Sequence, residues 1–268
     1  MIAEFLTYGF FQRALIVGFL VSVCSSLLGV SLVLKRCSMI GDGLSHVGFG
    51  ALAIAAAFNL APLYIAIPSV IIAAFILLRM SEKNIKGDAA IAIISSSALA
   101  IGIIAVSVTS GMNTDVNNYM FGSILSLTEA DVLLTVISSI IVIIMYLIFY
   151  NRIFSVIFDE EFAQATGTNV KLYNSIIAVL TAVTVVLGMR MMGALLISSL
   201  VIFPALSSMR LFKTHKSVMF SSLIISIFCF FTGMYISATA GTPSGATIVV
   251  VNLVVFIVSS AIKFARED

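Results

Sequence analysis

The stretch KRCSMIGDGLSHVGFG, residues 35–50, lies between two long apolar runs, and it guides the interpretation of the rest of the chain. Asp42 and His46 are four residues apart, so a helix would place both side chains on one face. A carboxylate and an imidazole on one face supply half of a first-row metal site. The basic pair Lys35–Arg36 marks the cytoplasmic interface of a membrane. At a rise of about 1.5 Å per residue, His46 then lies roughly 15 Å further in, near the middle of a bilayer.

Small residues around this pair predict close helix packing. Glycines lie at positions 41, 43, 48 and 50, where they leave room for the backbone of a neighbouring helix. A later apolar run carries a second group of small residues, Ser95–Ser97, Ala98 and Ala100, which suits the same kind of contact.

The composition excludes a water-soluble globular protein. Of the 268 residues, 61% are hydrophobic and 10% are charged, and the mean hydropathy is +1.20. Soluble domains carry about 25% charged residues. No polar stretch is long enough to fold by itself, so residues 1–268 are predicted to form one integral-membrane domain without a cleaved signal peptide. The net charge of +2 is spread over short loops, which predicts no nucleic-acid partner.

Apolar runs and loop charges divide the chain into about nine membrane spans. Alternating the runs across a bilayer places the Lys and Arg residues on one face, with Arg13 and Arg190 as exceptions. Such an excess of positive charge marks the cytoplasmic face, so nine spans predict an external N-terminus and an internal C-terminus. The predicted spans are 12–34, 42–60, 63–80, 88–110, 131–150, 172–189, 192–208, 217–238 and 246–262.

The number of spans is open to revision at two places. The segments 172–189 and 192–208 are short, and either is compatible with a half-helix or a re-entrant segment. Arg190 would face outward between them, against the charge pattern of the other loops. A short cytoplasmic amphipathic start around Phe5–Arg13 would also change the count.

Asp42 and His46 have a functional and a structural interpretation. Ionisable side chains inside a membrane are costly, so they face protein or water and carry a function. In the structural interpretation, Asp42 caps a helix after Gly41 and His46 bonds to a backbone carbonyl. Two ligands are too few for tight binding, which suits a transport site because transport requires release. A two-fold dimer would bring two aspartates and two histidines together, enough for a tetrahedral site.

Other polar residues have a structural explanation beside a functional one. Asp88 opens a span, where a helix N-terminus stabilises a carboxylate, and a second carboxylate on a metal pathway is the alternative. The segment 111–129 carries Asp115 among three asparagines, and it predicts a solvated outer loop or an oxygen-rich entrance for a cation. Within it, Tyr119–Phe121 suggests an interfacial helix.

The segment Phe203–Phe212 is a candidate contact for a peripheral partner. The apolar span is predicted to break at Pro204 and to continue as a short cytoplasmic helix along the membrane that ends in basic residues. An ordinary positively charged loop is the equal alternative, and His215 beyond it is predicted to be solvated. The candidate contact residues are Pro204, Ala205, Ser207, Ser208, Met209, Arg210 and Leu211.

Several enzyme motifs are absent from the sequence. It has no GxxxxGK[ST] loop to bind ATP, no HExxH, no GxSxG and no CxxC. Cys24, Cys37 and Cys229 lie in or beside apolar runs and are predicted to be buried hydrophobic residues. An intramembrane metalloprotease would need more ligands than two histidines supply.

These motifs, in this order, resemble the integral-membrane permease subunits of metal-uptake ABC importers, the ABC-3 family. The family pattern of a basic pair followed by glycine-aspartate and serine-histidine is matched by Lys35–His46, with one departure at Gly43, where many relatives have alanine. The other matching segments extend the resemblance over nearly the whole chain. They are Tyr119–Leu125, Phe158–Ala163 with Gly167, Met192–Leu196 leading to Pro204–Ala205, and Pro243–Gly245.

The resemblance implies an all-α polytopic bundle of eight or nine spans, of the ABC importer permease type, in the plasma (inner) membrane of a prokaryote. It implies three protein partners besides membrane lipid: a second permease copy, a cytoplasmic ATP-binding subunit and an extracytoplasmic metal-binding protein. The permease would hold no permanent cofactor. Asp42 and His46 would hold the transported Zn²⁺ or Mn²⁺, and 204–211 would couple to the ATPase.

The expected substrate is zinc, because the form of Gly41–His46 resembles zinc-type permeases more than manganese-type ones; manganese and iron are alternatives. A secondary transporter driven by protons or sodium is an alternative of a different class. It would use membrane carboxylates as relays, and this sequence has few besides Asp42 and Asp88.

Overall fold

The computed structural model describes residues 8–82, 87–109, 120, 122, 127–194 and 197–267, and these residues form a bundle of α-helices. The predicted all-α bundle is confirmed. The helices are α1 (Gly9–Leu34), α2 (Ile40–Ala57), α3 (Pro62–Glu82), α4 (Gly87–Thr109), α5 (Glu129–Phe158), α6 (Glu160–Ala165), α7 (Val170–Met192), α8 (Ile197–Leu211), α9 (His215–Ala240) and α10 (Ser244–Glu267).

Within the described residues, eight helices are long and apolar enough to cross a membrane, namely α1 to α5, α7, α9 and α10. The first of the two short predicted spans is the 23-residue helix α7. The second is α8, which has only 15 residues. Such a helix is about 22 Å long, less than a hydrocarbon core of about 30 Å. The expected eight or nine segments are therefore eight long helices and one short one.

Turn chemistry accounts for the ends of several helices. After α2 the chain turns at Asn59 (φ 52°), a residue type that tolerates the left-handed conformation, and Pro62 begins α3. After α9 it turns at Gly241 (φ 66°), and α10 begins at Ser244. The start expected near Phe5–Arg13 is only partly described, and from Gly9 onward the chain belongs to α1.

The expected break at Pro204 is wrong. Pro204 lies inside α8, which continues to Leu211. A proline removes one backbone hydrogen bond, but in membrane helices neighbouring segments hold the backbone in place. Pro204 is buried, and the carbonyl oxygen of Val201, three residues earlier, lies where a side chain at Gly29 of α1 would be. Tertiary packing therefore keeps α8 helical through the proline.

The helices form two groups that share α7. Helix α2 packs mainly against α3 and α4, whereas α8 packs mainly against α1, α9 and α10. Helix α7 contacts α2 and α3 on one side and α1 and α5 on the other. Helices α1, α2 and α7 supply most of the buried core, whereas α4, α5 and α10 expose large apolar side chains, as helices that face lipid must.

Serine and tyrosine side chains join α1 to its neighbours. Ser226 of α9 donates a hydrogen bond to the carbonyl oxygen of Ser22 at 3.0 Å. The hydroxyl groups of Ser31 and Tyr146, on α1 and α5, are 2.9 Å apart. Such interhelical hydrogen bonds commonly stabilise the packing of membrane helices.

Candidate metal site and coupling segment

Asp42 and His46 lie on an otherwise buried part of α2. From Ile40 to Ala53, every residue of this helix is buried except these two. The Asp42 side chain is 36% exposed and the His46 side chain is 20% exposed. Their shared face therefore opens onto accessible space within a helix that is otherwise packed on all sides.

The geometry leaves both side chains with acceptor capacity. His46 Nε2 lies 3.7 Å from Asp42 Oδ2, which is longer than a hydrogen bond. Asp42 Oδ1 accepts a hydrogen bond of 3.2 Å from Ser198 Oγ, at the start of α8. Among the described residues, no Lys or Arg forms an ion pair with Asp42. The carboxylate and the imidazole could therefore both approach one cation.

The structural interpretation of the pair is not supported. The N-cap of α2 is Met39, and no side chain caps this helix, so Asp42 is not the capping residue. Asp42 lies in the first turn, where the helix dipole favours a negative charge. In the part of the chain that is described, His46 makes no hydrogen bond to a backbone carbonyl. Neither residue therefore caps the helix, and the two side chains are too far apart for a hydrogen bond to each other.

The predicted close approach of a neighbouring backbone is found at one of the four glycines, Gly50, and side chains pack closely against two others. A Cβ at Gly50 would collide with the backbone of Ala98 on α4, and a Cβ at Gly43 would lie 2.6 Å from Ile91 on the same helix. A Cβ at Gly48 would lie 2.6 Å from the sulfur of Met189 on α7. Only Gly41 has open space beside it. These contacts fix the face on which Asp42 and His46 remain accessible.

One subunit does not complete a metal site in the described residues. No group of three or more His, Cys, Asp or Glu side chains lies close enough there to hold an ion. Asp88, the alternative pathway carboxylate, is exposed in the first turn of α4. Asp115, Asn113, Asn117, Asn118 and Tyr119 lie outside the described residues.

The two arginines that broke the charge pattern both pair with carboxylates at the start of α5. Arg13 of α1 contacts Glu129 at 2.9 Å, and Arg190 of α7 contacts Asp131 at 2.6 Å. Asp131 also accepts a hydrogen bond from the backbone N–H of Thr128 in a capping box. Both arginines that depart from the predicted charge pattern therefore have a carboxylate partner within the subunit.

A second polar cluster lies at the C-terminal end of α1. Lys35 forms an ion pair of 2.8 Å with Glu160 of α6 and a hydrogen bond with Asn174 of α7. They line a cavity of about 630 Å³ together with Cys37. Burial raises the pKa of the Cys37 thiol, the positive charge of Lys35 lowers it, and the negative charges of Glu160 and Asp88 raise it.

Most of the predicted contact segment is buried inside the subunit. Pro204, Ala205, Ser207 and Ser208 are buried, Met209 and Leu211 are half-buried, and Arg210 is exposed. Arg210 holds its guanidinium 6.0 Å from the ring centre of Phe256 on α10. Phe212, Lys213 and Thr214 beyond it are exposed. Any partner at this segment therefore meets the end of α8 and the turn after it.

Sequence reasoning missed Ser198 and Asp131. Ser198 is one of many serines in apolar runs, and nothing in its spacing connects it to Asp42. Asp131 carried a detectable signal, since Thr128-x-x-Asp131 before an apolar run is a capping pattern. Its partner Arg190 is one of the two arginines that depart from the predicted charge pattern.

The fold and the accessible polar pair define a class: a multi-pass helical membrane protein with the architecture of a permease. The chain belongs to the ABC 3 transport family, whose model matches residues 7–263. It is 31% identical to the "High-affinity zinc uptake system membrane protein ZnuB" of Haemophilus influenzae, over 95% of this chain and 97% of that protein. It is 29% identical to the "Manganese import system permease protein ScaB" of Streptococcus gordonii, over 97% and 95%.

A solved structure supports the same assignment. The chain matches one from PsaBC of Streptococcus pneumoniae in complex with Fab, with a TM-score of 0.86, 30% identity, and coverage of 97% and 95% of the two chains. The resemblance found in the sequence is confirmed. The chain is a permease subunit of a metal-uptake ABC transporter, a transporter rather than an enzyme.

Proposed function

We propose that this chain is the permease of an importer that carries Zn²⁺ into a prokaryotic cell, with Asp42 and His46 as ligands of the ion in transit. The observation that carries the proposal is the Asp42 carboxylate, accessible on a buried helix without a Lys or Arg partner in the described part of the chain. A negative charge in such a place is costly unless a cation visits it.

The chemistry of the pair suits a transported ion. Carboxylate oxygen and imidazole nitrogen both bind Zn²⁺, and neither is selective against Mn²⁺. A site with so few ligands binds weakly, which permits release toward the cytoplasm. A second copy of the chain, related by a two-fold axis, would supply another Asp42 and His46 and make four ligands. An ion trapped in the assembly should then be counted as one per two chains.

Two further protein partners are proposed, an ATP-binding subunit and a metal-binding protein. It has no P-loop, so ATP hydrolysis belongs to a separate cytoplasmic subunit. Arg210, Phe212 and Lys213 are the exposed residues at the end of α8 that would meet that subunit, in the plasma membrane of the cell. An extracytoplasmic metal-binding protein would provide the high affinity that a two-ligand site cannot.

Metal uptake by cells that lack their own copy of this permease tests the site. We expect Asp42→Asn and His46→Ala to reduce zinc uptake to the level of cells without the chain, while the amount of assembled transporter stays normal. The matched controls are Asp88→Asn and His215→Gln, which change the same residue types elsewhere and should transport normally. Normal uptake by both site variants would exclude the proposed ligands, and loss of uptake in Asp88→Asn would add a second carboxylate to the pathway.

Manganese is a second candidate substrate, because ScaB is named as a manganese permease. Measuring the zinc and manganese contents of cells with and without the chain separates the two metals. Accumulation of zinc without manganese supports the proposed substrate. Accumulation of manganese without zinc would make manganese the substrate instead. Vesicles with an ion gradient and no ATP test the secondary-transporter alternative, and we expect no uptake from them.

A further inference from the structure

Ser198 connects the candidate metal site to α8. Its hydroxyl group donates a hydrogen bond of 3.2 Å to Asp42 Oδ1, and 156 residues of chain separate the two. The serine is buried, with 9% of its surface exposed. It is the second residue of α8, where the positive end of the helix dipole also favours a nearby carboxylate.

This hydrogen bond crosses the boundary between the two groups of helices. Asp42 belongs to α2, which packs mainly with α3 and α4, and Ser198 belongs to α8, which packs mainly with α1, α9 and α10. A relative movement of the two groups would lengthen or break the bond. The Asp42 carboxylate would then change its orientation and its number of donors, both of which alter its strength as a metal ligand.

Helix α8 is held firmly enough to transmit such a movement. Val201 packs against the backbone of α1 at Gly29, and Ile197 occupies the space beside Gly188 of α7. The helix is continuous from Ser198 to Arg210, which is exposed where α8 ends. One continuous helical segment of about 20 Å thus has the hydrogen bond to Asp42 at one end and the proposed ATPase contact at the other.

We infer that Ser198 is a positioning residue that lets α8 control Asp42, so that ATP-driven displacement of α8 sets when the ion is held and when it is released. The inference rests on the proposed function, because it requires Asp42 to bind the transported metal. Ser198 would not itself be a ligand. It would hold Asp42 through its hydroxyl group in the conformation that accepts the ion.

The test uses the complete transporter, with its ATPase and metal-binding protein, in lipid vesicles supplied with Zn²⁺ or Mn²⁺. The measured quantity is the number of ions transported per ATP hydrolysed. We expect Ser198→Ala to lower this ratio about tenfold, the usual effect of losing a hydrogen bond to a metal ligand, while ATP hydrolysis stays near normal. Ser198→Thr, which keeps the hydroxyl group, should restore the ratio.

Ser199→Ala is the matched control, because the neighbouring serine is rotated by about 100° around the helix and should leave the ratio unchanged. An unchanged ratio in Ser198→Ala, or failure of Ser198→Thr to restore it, would overturn the inference. If Ser198→Ala assembles poorly, Ser198→Cys, of similar size but a weak donor, must give the same low ratio. Asp42→Asn in the same vesicles distinguishes the failure of the proposed metal site from the failure of the control by α8. Normal transport by Asp42→Asn would refute the metal site. An inactive Asp42→Asn together with a normal Ser198→Ala would refute only the control by α8.

Discussion

Asp131 and Asp42 are both carboxylates in the first turn of a long apolar helix, but their surroundings differ. Asp131 is 13% exposed and lies 2.6 Å from the guanidinium of Arg190. It also accepts the backbone N–H of Thr128 at 3.1 Å. Asp42 is 36% exposed, and its contacts in the described structure are a serine hydroxyl and an imidazole at 3.7 Å.

The difference distinguishes a carboxylate whose charge is balanced by an arginine of the same subunit from one whose charge is not balanced by a Lys or Arg of the described residues. The charge of Asp131 is balanced inside the subunit, so this residue contributes to holding α5 against α7. The charge of Asp42 is left without a balancing Lys or Arg in the described residues, so a cation from outside can supply what the protein does not. Proteins accept such local instability at sites where function requires it.

The largest expected effect comes from breaking the balanced pair. Asp131→Asn removes the charged carboxylate 2.6 Å from the buried Arg190 guanidinium, so the free energy of unfolding should fall by about 3–5 kcal/mol. Thermal unfolding of the purified permease measures this loss. Adding Arg190→Gln to Asp131→Asn should recover most of the stability, because a buried ion pair replaced as a whole is often close to neutral.

Glu129→Gln is the control for that experiment. Glu129 lies at the same end of α5 as Asp131 and pairs with Arg13 of α1, but the Glu129 side chain is 85% exposed. An exposed ion pair contributes only about 0–1 kcal/mol, so this variant should unfold almost as the wild type does. Equal losses for Asp131→Asn and Glu129→Gln would show that burial is not what distinguishes the two pairs.

The next largest expected effect is an increase in stability. Asp42→Asn removes an unbalanced charge, so in the presence of a chelator its stability should be unchanged or higher by about 0.5–2 kcal/mol. Removing the chelator and adding Zn²⁺ should raise the unfolding temperature of the wild type and not of the variant. A loss of stability as large as that of Asp131→Asn would give Asp42 a structural role instead.

The smallest effect concerns Cys37, beside the ion pair of Lys35 and Glu160. Its raised pKa keeps it a thiol at neutral pH, so alkylation should be slow there and accelerate as pH rises. Lys35→Met removes a charge that lowers the pKa, so labelling at a given pH should slow. Glu160→Gln removes a charge that raises it, so labelling should quicken.

Arg36→Met is the matched control for Lys35→Met, because Arg36 is exposed and does not contribute to the shift. It should leave the labelling rate unchanged. Cys24 and Cys229 are buried, so Cys37→Ser should abolish most of the signal. Faster labelling in Lys35→Met would contradict the assigned electrostatic cause.

Sequence reasoning located the long helices because apolar runs and their turn residues are local signals. The predicted spans 42–60 and 63–80 correspond to α2 and α3 within a few residues, and α7 was predicted with slightly short bounds, 172–189. It failed at Pro204, where packing against α1 overrides the local tendency of proline to end a helix. It also left Arg13 and Arg190 unexplained, because their partners on α5 are 116 and 59 residues away.

The sequence by itself determined that the chain crosses a membrane repeatedly and that Asp42 and His46 share one face of a helix, because hydropathy and a spacing of four residues act within a single segment. Tertiary structure alone decided which carboxylate is balanced by an arginine and which, among the described residues, accepts a hydrogen bond from a serine hydroxyl. Those contacts join residues 59 and 156 positions apart, and only the packing of the helices brings them together.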